Sequence, residues 1–395
     1  MKRLLLINSV IGFGSTGRIV LDIAKEYEAD GYEAKIAYGR NMKVSSHLEK
    51  DVKKYGVRIG KDMDVYYHVL YTRLTDRHGL ASKMATKKFL KWASEYDPDV
   101  LWMHNIHGYY INYEMLFDWI KSRPQMEVKW TLHDCWTFTG HCSHFAYVGC
   151  EKWRCGGTDG QSECSEKSGQ EAQGCMNCPQ LAQYPQSKAD NSSDNYRRKK
   201  AAFTGVKNLT IITPSQWLKE NVEKSYLCGY PVEVKYNTVD KDVFKPVEST
   251  FKKDNGIENK KMVLGVASLW NDRKGLKDFY KLSSELDKDK FQIVLVGLSK
   301  DQVDEIAEKK LNIIGLERTS SVEELKKIYS AADVFANPTY EDTFPTVNME
   351  AEACGTPVIT YDTGGCKETI KSQDSKVIPQ NVEALRNAIC DMWTI

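Results

Sequence analysis

The segment "YEDTFPTVNMEAEACGTPVITYDTGG", residues 340–365, is the most informative part of this chain. It carries two carboxylates, Asp342 and Glu350, separated by a Thr-Phe-Pro-Thr segment and the start of an Ala-rich run. Pro345 suits the first turn of a helix, where its missing N–H would have no acceptor, and Gly355 suits the helix end. The segment "PVITY" that follows has the composition of a buried strand. The stretch therefore predicts a loop with Asp342, a short helix with Glu350, and a buried strand.

This arrangement is suited to a phosphorylated ligand. A helix N-terminus presents unpaired N–H groups and a partial positive charge, which favour a phosphate. A carboxylate accepts hydrogen bonds from hydroxyl groups, including the two neighbouring hydroxyls of a ribose or a sugar. A helix with an acid near its N-terminus is also common in proteins without such a ligand, so the surrounding elements must decide between the two interpretations.

Two series of alternating strands and helices surround the stretch. The first series has strand candidates at 3–8, 33–39, 99–105, 127–134 and 208–215, and the second has "KMVLGVAS", "FQIVLVGL", "LNIIGL", "DVFANP" and "TPVITY". Such alternation predicts an α/β fold with parallel sheets. We expect two Rossmann-like doubly wound domains facing a central cleft: an N-terminal domain at 1–240 with a Cys-rich insertion at 140–180, a polar linker at 241–260, and a C-terminal domain at 261–395.

Composition excludes several classes of protein. The 395 residues are 41% hydrophobic and 28% charged, with a net charge of +1, which gives no support for nucleic-acid binding as the main function. No apolar run reaches the length of a bilayer span. The N-terminal "MKRLLLINSVIGFGS" lacks a long apolar region and a cleavage site, so it predicts a strand rather than a signal peptide. We therefore expect a cytoplasmic protein.

The quoted stretch resembles the donor-site signature of glycosyltransferase family 4, in which an acid, seven residues and a Glu precede "A-x-G-x-P-V". Further matching segments are "GSTGRI" (14–19), "HNIHGYYIN" (104–112), "TLHDCWTFTGHC" (131–142), "TPSQWL" (213–218) and "RKG" (273–275). The resemblance covers nearly the whole chain and is closest to the branch that builds bacterial surface polysaccharides. It implies a GT-B fold and transfer of a sugar from a nucleotide diphosphate with retention of configuration, without a catalytic metal.

The resemblance also assigns roles by position. Glu350 is expected to bind the donor ribose and Asp342 the hydroxyls of the transferred sugar. The family usually has Glu in the first place, so Glu341 is an alternative to Asp342. Pro345 replaces a Gly and removes one N–H donor from the phosphate loop. Residues predicted to contact the donor are Gly14, Ser15, Thr16, Gly17, Arg273, Lys274, Glu341, Phe344, Thr346 and Val347.

Two further residue groups support this assignment. Arg273 and Lys274 precede a predicted helix, a position that disfavours cations, so their charge has another purpose such as binding phosphate. A solvated basic pair is the structural alternative. His133 ends a strand, at the edge where active sites of doubly wound domains gather. The resemblance places it over the transferred sugar as a catalytic, sugar-positioning residue, although a histidine in such a position is often purely structural.

The segment "GFGSTG" at 12–17 leaves a second function class open. It matches the dinucleotide fingerprint G-x-G-x-x-G between a strand and a helix. The second strand ends in "AYGRN" rather than in an acid, and Arg40 would suit the extra phosphate of NADP. An NADP-dependent oxidoreductase is therefore the alternative, although it leaves the second β/α series and its acid pair unexplained. A sugar-nucleotide-binding protein without catalysis is the third.

Cysteines predict a metal site. Six of the eleven lie between Cys142 and Cys178. A C-x-x-C pair at Cys175 and Cys178, together with Cys142 and Cys150, fits a tetrahedral structural zinc site. Cys155 and Cys164 are spare ligands. Reduced thiols in a loop, or disulfides in an oxidising compartment, are the alternatives.

The remaining expectations concern partners. The segment 72–91 combines six Lys and Arg residues with interleaved apolar residues. Such a segment predicts contact with anionic lipid at the inner face of the membrane, where a lipid-linked glycan acceptor would be presented. A helix with a solvated basic face and a core-facing apolar side is the alternative. UDP is favoured over GDP as the donor nucleotide. Relatives usually continue into a further helix, so the C-terminal domain is expected to be truncated.

Overall fold

Parallel strands build both halves of the chain. The structure, a computed structural model, describes residues 1–155 and 174–393 and divides into two units, Met1–Lys235 and Tyr236–Ile395. Each unit contains one sheet with helices in its crossover connections, and all strand pairs within it are parallel. This confirms the prediction of two doubly wound domains from the alternating pattern.

The first unit contains a seven-stranded sheet of order β3-β2-β1-β4-β5-β6-β7. Its elements are β1 Arg3–Asn8, α1 Gly14–Ala29, β2 Glu33–Tyr38, α2 Glu49–Tyr55, β3 Gly56–Arg58, α3 Asp62–Thr75, α4 Lys83–Tyr96, β4 Val100–Met103, α5 Tyr113–Lys121, β5 Glu127–Thr131, α6 Ser192–Phe203, β6 Leu209–Thr213, α7 Gln216–Glu223 and β7 Val232–Val234. The chain order reverses between β1 and β4, which makes this position the switch point of the sheet.

The second unit contains a six-stranded sheet of order β10-β9-β8-β11-β12-β13. Its elements are α8 Phe251–Asp254, β8 Lys261–Val266, α9 Leu276–Glu285, β9 Phe291–Val296, α10 Lys300–Glu308, β10 Ile313–Leu316, α11 Val322–Ala331, β11 Val334–Asn337, α12 Thr346–Ala353, β12 Val358–Tyr361, β13 Lys376–Ile378 and α13 Val382–Asp391. Here the switch point lies between β8 and β11.

Both sheets are covered on their two faces. In β1, Leu5 and Ile7 join one buried cluster, while Leu4 and Leu6 join another. Successive side chains of a strand point to opposite faces, so an uninterrupted apolar run is what a sheet buried on both sides requires. Each fully buried side chain of this kind contributes roughly 1.5–3 kcal/mol by leaving water. The apolar runs of the sequence therefore position the strands, and with them the loops at the strand ends.

The domain boundary differs from the predicted one. The division falls between Lys235 and Tyr236 rather than at residue 240. The segment predicted as a linker, 241–260, packs within the second unit, because Phe244 is buried among its core residues and α8 lies in the segment. The segment was predicted as a linker because its composition is mainly polar, and this composition gave no indication of the buried Phe244 or of α8.

Candidate functional site

The donor residues predicted in the C-terminal half of the chain gather at the switch point of the second sheet. The loop 267–275 follows β8, and the loop 338–345 follows β11. These two strands are neighbours at which the chain order reverses. In open parallel sheets, ligands bind outside the carboxyl ends of the strands at such a point. The topology therefore brings together residues that lie about 70 positions apart in the sequence.

The basic pair is fixed by the local backbone. Arg273 and Lys274 lie in a single 3₁₀ turn. The Lys274 N–H donates to the side-chain oxygen of Asn271 at 3.0 Å, which caps the start of the turn. Gly275 follows with φ of +79°, and a Cβ there would lie 2.4 Å from the carbonyl oxygen of Pro338. The turn is thus packed tightly against the acidic loop, and the Tyr340 N–H donates to the Arg273 carbonyl at 2.8 Å.

Two ion pairs connect the loops. Lys274 Nζ lies 2.6 Å from Asp342 Oδ2, and Arg273 Nη1 lies 3.2 Å from Glu341 Oε1. The side chain of Glu341 is 1% exposed, whereas that of Asp342 is 21% exposed. Of the two neighbouring acids, Asp342 is therefore the one that an external ligand can reach. Glu341 instead holds the guanidinium of Arg273 in place.

The N-terminus of helix α12 lies directly after the acidic loop 338–345. It begins at Thr346 after Pro345, and the first amides of a helix have no acceptor within the helix. Thr346 and Val347 therefore offer N–H groups at the same edge of the sheet. Phe344 is buried, and its ring stacks on Tyr236 with 5.5 Å between centroids.

Glu350 lies in the second turn of α12 and is only partly buried. The Tyr329 O–H donates to its Oε2 at 3.1 Å. Burial first, and the carboxylate of Glu350 second, raise the pKa of Tyr329 well above its usual value. Tyr329 therefore stays a neutral donor that fixes the orientation of the carboxylate. A carboxylate can accept about four hydrogen bonds. The hydrogen bond from Tyr329 therefore leaves the Glu350 carboxylate able to accept further hydrogen bonds from a diol.

The structure adds a glycine pair to which the sequence analysis gave no role. The Gly365 N–H donates to the Asp342 carbonyl at 3.1 Å. Gly364 has φ of +52°, and a Cβ there would lie only 1.9 Å from the same carbonyl oxygen. The loop after β12 therefore supports the backbone of Asp342. Two consecutive glycines after an apolar strand were the available signal, since such pairs mark a close backbone approach.

In the first unit, the glycine loop lies at the corresponding switch point. Helix α1 begins at Gly14, so Gly14, Ser15 and Thr16 supply its first amides, and Gly14 and Ser15 are exposed. The Gly12 N–H donates to the Gly17 carbonyl at 2.8 Å, so this amide is used within the loop. A Cβ on Gly17 would approach the Gly12 nitrogen to 3.1 Å. The amides at the start of α1 can therefore face a ligand, whereas the Gly12 amide of the same loop cannot, because it is already hydrogen-bonded.

His133 has structural partners on the neighbouring strand end. Its Nε2 lies 3.0 Å from His104 Nδ1, and the two rings stack. Burial lowers the pKa of His133 to about 4, so the imidazole is neutral at pH 7. His107 pairs with Asp134 at 3.1 Å and with Tyr184 at 3.0 Å. A neutral imidazole can orient a hydroxyl group but supplies no fixed charge.

The four predicted zinc ligands lie around one cavity. Cys142, Cys150, Cys175 and Cys178 line a space of about 10 Å³. Cys155 packs beside Tyr196 instead, at 3.8 Å from its hydroxyl. The other spare ligand, Cys164, lies outside the described residues.

The basic segment 72–91 is divided between surface and core. Lys83, Lys87, Lys88 and Lys91 are exposed, whereas Leu80, Phe89 and Leu90 are buried. The apolar side of α4 is therefore mostly core. A larger exposed apolar face lies on the preceding helix α3, where the sequence analysis did not place one. In the part of the chain that the structure covers, no helix combines the length and apolarity that crossing a bilayer requires.

Parts of the chain are similar to known proteins. Residues 247–393 match the family model described as glycosyl transferases group 1. Over 123 residues, the chain is 32% identical to N,N'-diacetylbacillosaminyl-diphospho-undecaprenol alpha-1,3-N-acetylgalactosaminyltransferase from Campylobacter jejuni, which covers 31% of this chain and 32% of that protein. The match thus spans about a third of the length of this relative.

Solved structures resemble the chain over almost its full length. Sucrose-phosphate synthase from Thermosynechococcus elongatus matches with a TM-score of 0.64 and 16% identity, covering 99% of this chain and 90% of that one. HepE from Anabaena, in complex with UDP and glucose, matches with a TM-score of 0.62 and 15% identity, again over 99% and 90%. At such low identity these likenesses concern the fold alone. The chain therefore has the two-domain fold of GT-B glycosyltransferases, and its C-terminal unit matches the glycosyl transferases group 1.

Proposed function

We propose that the protein is a retaining glycosyltransferase that moves a hexosyl-type sugar from a nucleoside diphosphate sugar to a glycan or lipid-linked glycan in surface-polysaccharide synthesis. The observation that carries this proposal is the pair of ion pairs at the start of α12. Lys274, the partly exposed acids Asp342 and Glu350 and the N-terminus of α12 meet at one switch point, an arrangement suited to a diphosphate joined to a ribose and a sugar.

Each group has a chemical task in this proposal. Lys274 and the amides of Thr346 and Val347 bind the diphosphate and stabilise the charge that develops when it leaves. These protein groups supply the positive charge, so no catalytic metal is required. Glu350 binds the ribose hydroxyls, and Asp342 binds hydroxyls of the transferred sugar.

Other residues have supporting tasks. Glu341 positions Arg273, and Phe344 supports the loop through its stacking on Tyr236. The donor contact of Gly14 to Gly17 and the sugar-positioning role of His133 remain predictions from the resemblance. UDP is favoured as the nucleotide, and the UDP complex of the similarly folded HepE supports that choice.

Donor binding and turnover test the proposal together. UDP, GDP and their sugars are titrated by calorimetry, and release of the free nucleotide is then followed with and without glycan acceptors. We expect one nucleoside diphosphate to bind and its sugar to be turned over. Binding without turnover under every acceptor would favour a non-catalytic sugar-nucleotide-binding protein. Binding of NADPH in preference to both nucleotides would favour the oxidoreductase.

The finer proposal for the acceptor is a membrane-presented, lipid-linked glycan. The name of the Campylobacter relative specifies a diphospho-undecaprenol-linked acceptor for that protein. In this chain, α3 exposes a row of large apolar side chains at helical spacing, each 56–76% exposed. They are Met63, Tyr66, Tyr67, Leu70 and Leu74. The exposed lysines of α4 supply positive charge in the same unit. A unit that exposes both an apolar row and basic residues is suited to an anionic leaflet.

Vesicle co-sedimentation tests this contact. The protein is expected to bind vesicles containing anionic lipid and to be released by salt. Leu70→Ser should weaken binding, and conversion of Lys83, Lys87, Lys88 and Lys91 to Glu should weaken it further. Val377→Ser, at an exposed position in the second unit, is the control and should change nothing. A wild-type protein that ignores anionic vesicles at low salt would indicate a soluble acceptor and leave the donor proposal intact.

A further inference from the structure

The cysteine cavity of the first unit has the composition of a metal site. Two of its thiols, those of Cys142 and Cys175, are buried, and those of Cys150 and Cys178 are half-buried. The thiols of Cys142 and Cys178 are in hydrogen-bond contact. A volume of about 10 Å³ is near the minimum for a single water molecule, so the cavity has room for one small ion and no larger ligand.

Backbone donors are directed at the sulfur atoms. The Gly140 N–H donates to Cys175 Sγ at 3.1 Å, and the Gln180 N–H donates to Cys178 Sγ. Such bonds stabilise a thiolate more than a neutral thiol, because a charged acceptor forms the stronger bond. The Cys178 N–H in turn donates to Asp190 Oδ2 at 2.8 Å, which fixes the turn that carries the C-x-x-C pair.

A buried histidine provides an independent observation. His141 lines the same cavity. Its Nδ1 pairs with the carboxylate of Asp76, and both side chains are fully buried. Its Nε2 is buried and has no hydrogen-bond partner among the described residues. In protein zinc sites, a histidine next to the metal usually has one ring nitrogen held by a carboxylate while the other faces the metal, and His141 has this orientation. An unpaired buried nitrogen is costly, so its orientation needs a partner in the cavity.

A buried lysine anchors the loop that leads to Cys142. The ammonium of Lys199 is buried, donates to the carbonyls of Trp136 at 2.7 Å and Thr139 at 3.0 Å, and lies 3.5 Å from the Trp136 ring centroid. These contacts hold the backbone that leads from β5 into Cys142.

We propose that Cys142, Cys150, Cys175 and Cys178 bind one Zn²⁺ ion as a tetrahedral thiolate site, and that His141, whose Nδ1 is held by Asp76, lies beside this cluster as a supporting residue. Among the described residues, no group of three or more His, Cys, Asp or Glu side chains is yet arranged to hold a metal ion. Binding therefore requires the sulfur atoms to close on the cavity. The four ligands are those that the sequence predicted, whereas the supporting role of His141 comes from the tertiary structure.

Such a site has a consequence for the loop after β5. That loop begins at His133 and ends at Cys142, and its middle is held by the Cys135 N–H, which donates to the Ser143 carbonyl at 2.8 Å. Zinc would fix the far end of the same loop. The ion is thus structural, and it stabilises the segment that carries His133.

Metal analysis of the full chain tests the proposal. Protein purified without chelators should contain one zinc per chain, and an organomercurial that titrates thiols should release it. Substitution by Co²⁺ should give the intense thiolate-to-cobalt absorption of a four-sulfur tetrahedral site. The double variant Cys175→Ser with Cys178→Ser should lose the zinc, whereas Cys228→Ser, outside the cavity, should retain it.

The His141→Gln variant separates support from coordination. It should keep one zinc and an unchanged cobalt spectrum while its affinity for zinc falls about 10- to 100-fold, as is typical when a supporting residue is lost. A changed ligand-field spectrum would overturn the four-thiolate assignment. Wild-type protein without zinc and with freely titrating thiols, or with a disulfide between any of the four cysteines, would overturn the site itself. The wild-type measurements decide the matter even if the double variant does not fold.

Discussion

Replacement of Lys274 by alanine is the sharpest test of the donor site. The ammonium lies 2.6 Å from Asp342 Oδ2, and the two side chains are 25% and 21% exposed. In the free protein the substitution removes one partly exposed ion pair, which contributes about 1 kcal/mol or less. For a unit of this size that corresponds to a fall in melting temperature of about 2–4 °C at most. The fold should therefore survive.

The effect on donor binding should be much larger. A hydrogen bond between charged groups contributes about 1.5–3 kcal/mol, and each 1.4 kcal/mol is a factor of ten in affinity. The dissociation constant for the nucleoside diphosphate should therefore rise about 10- to 150-fold. The loss is at the upper end if Asp342, left without its cation, also repels the diphosphate.

Calorimetric titration of wild-type and variant protein with UDP and GDP measures this effect. Lys290→Ala is the matched control. Lys290 also forms an ion pair, with Asp287 at 3.4 Å, but it precedes β9 and so lies at the opposite edge of the sheet. It should bind nucleotide as the wild type does. The affinity of Lys274→Ala should also depend less on salt than that of the wild type, because one charge–charge contact is missing.

Equal affinity of Lys274→Ala and wild type would remove Lys274 from the phosphate site and refute the reasoning from the ion pair. A wild type that binds neither nucleotide would instead count against the proposed function as a whole. The two failures are distinguishable because the second appears before any variant is made.

Three further predictions concern activity and stability. Glu350→Ala should lower kcat/KM about 10²- to 10⁴-fold, because it removes two hydrogen bonds between a charged group and a diol. Circular dichroism should show an intact fold. Near-normal sugar transfer by this variant would contradict the role of Glu350 in binding the ribose. Gly364→Ala should destabilise the second unit by well over the roughly 1–2 kcal/mol that an alanine in the left-handed conformation costs, because its Cβ would lie 1.9 Å from the Asp342 carbonyl oxygen. Gly256→Ala is the control: Gly256 has φ of +66° and open space around it, so this variant should cost only the roughly 1–2 kcal/mol of the backbone conformation. Equal midpoints of urea unfolding for the two variants would contradict this. Burial lowers the pKa of His133 to about 4, so the unfolded chain binds the proton more readily, and the free energy of unfolding should fall as pH drops from about 6.5 towards 4. The melting temperature of His133→Asn should therefore fall less between pH 7 and pH 5 than that of the wild type. An identical fall would refute the view that His133 is buried in its neutral form.

Local pattern predicted the elements that carry the site. The strands β8, β9, β11 and β12 and the helix between 346 and 353 were all expected from apolar runs, a proline and a glycine. Such signals are local, because a buried parallel strand needs an unbroken apolar run and a helix start tolerates proline. The three-residue strands β3, β7 and β13 were not expected, since strands that short have no measurable periodicity.

Local patterns of residues were enough to predict two β/α units, an acid pair before and inside a helix, and four cysteines at spacings suited to zinc. Which of two adjacent acids faces outward became evident from the folded chain, because it depends on the pairing of Glu341 with Arg273, 68 positions away. The folded chain likewise shows that the apolar side of α4 is core and that α3 carries the exposed apolar row. Burial and ion pairing arise from contacts between distant segments, and no local pattern of residues specifies which segments those are.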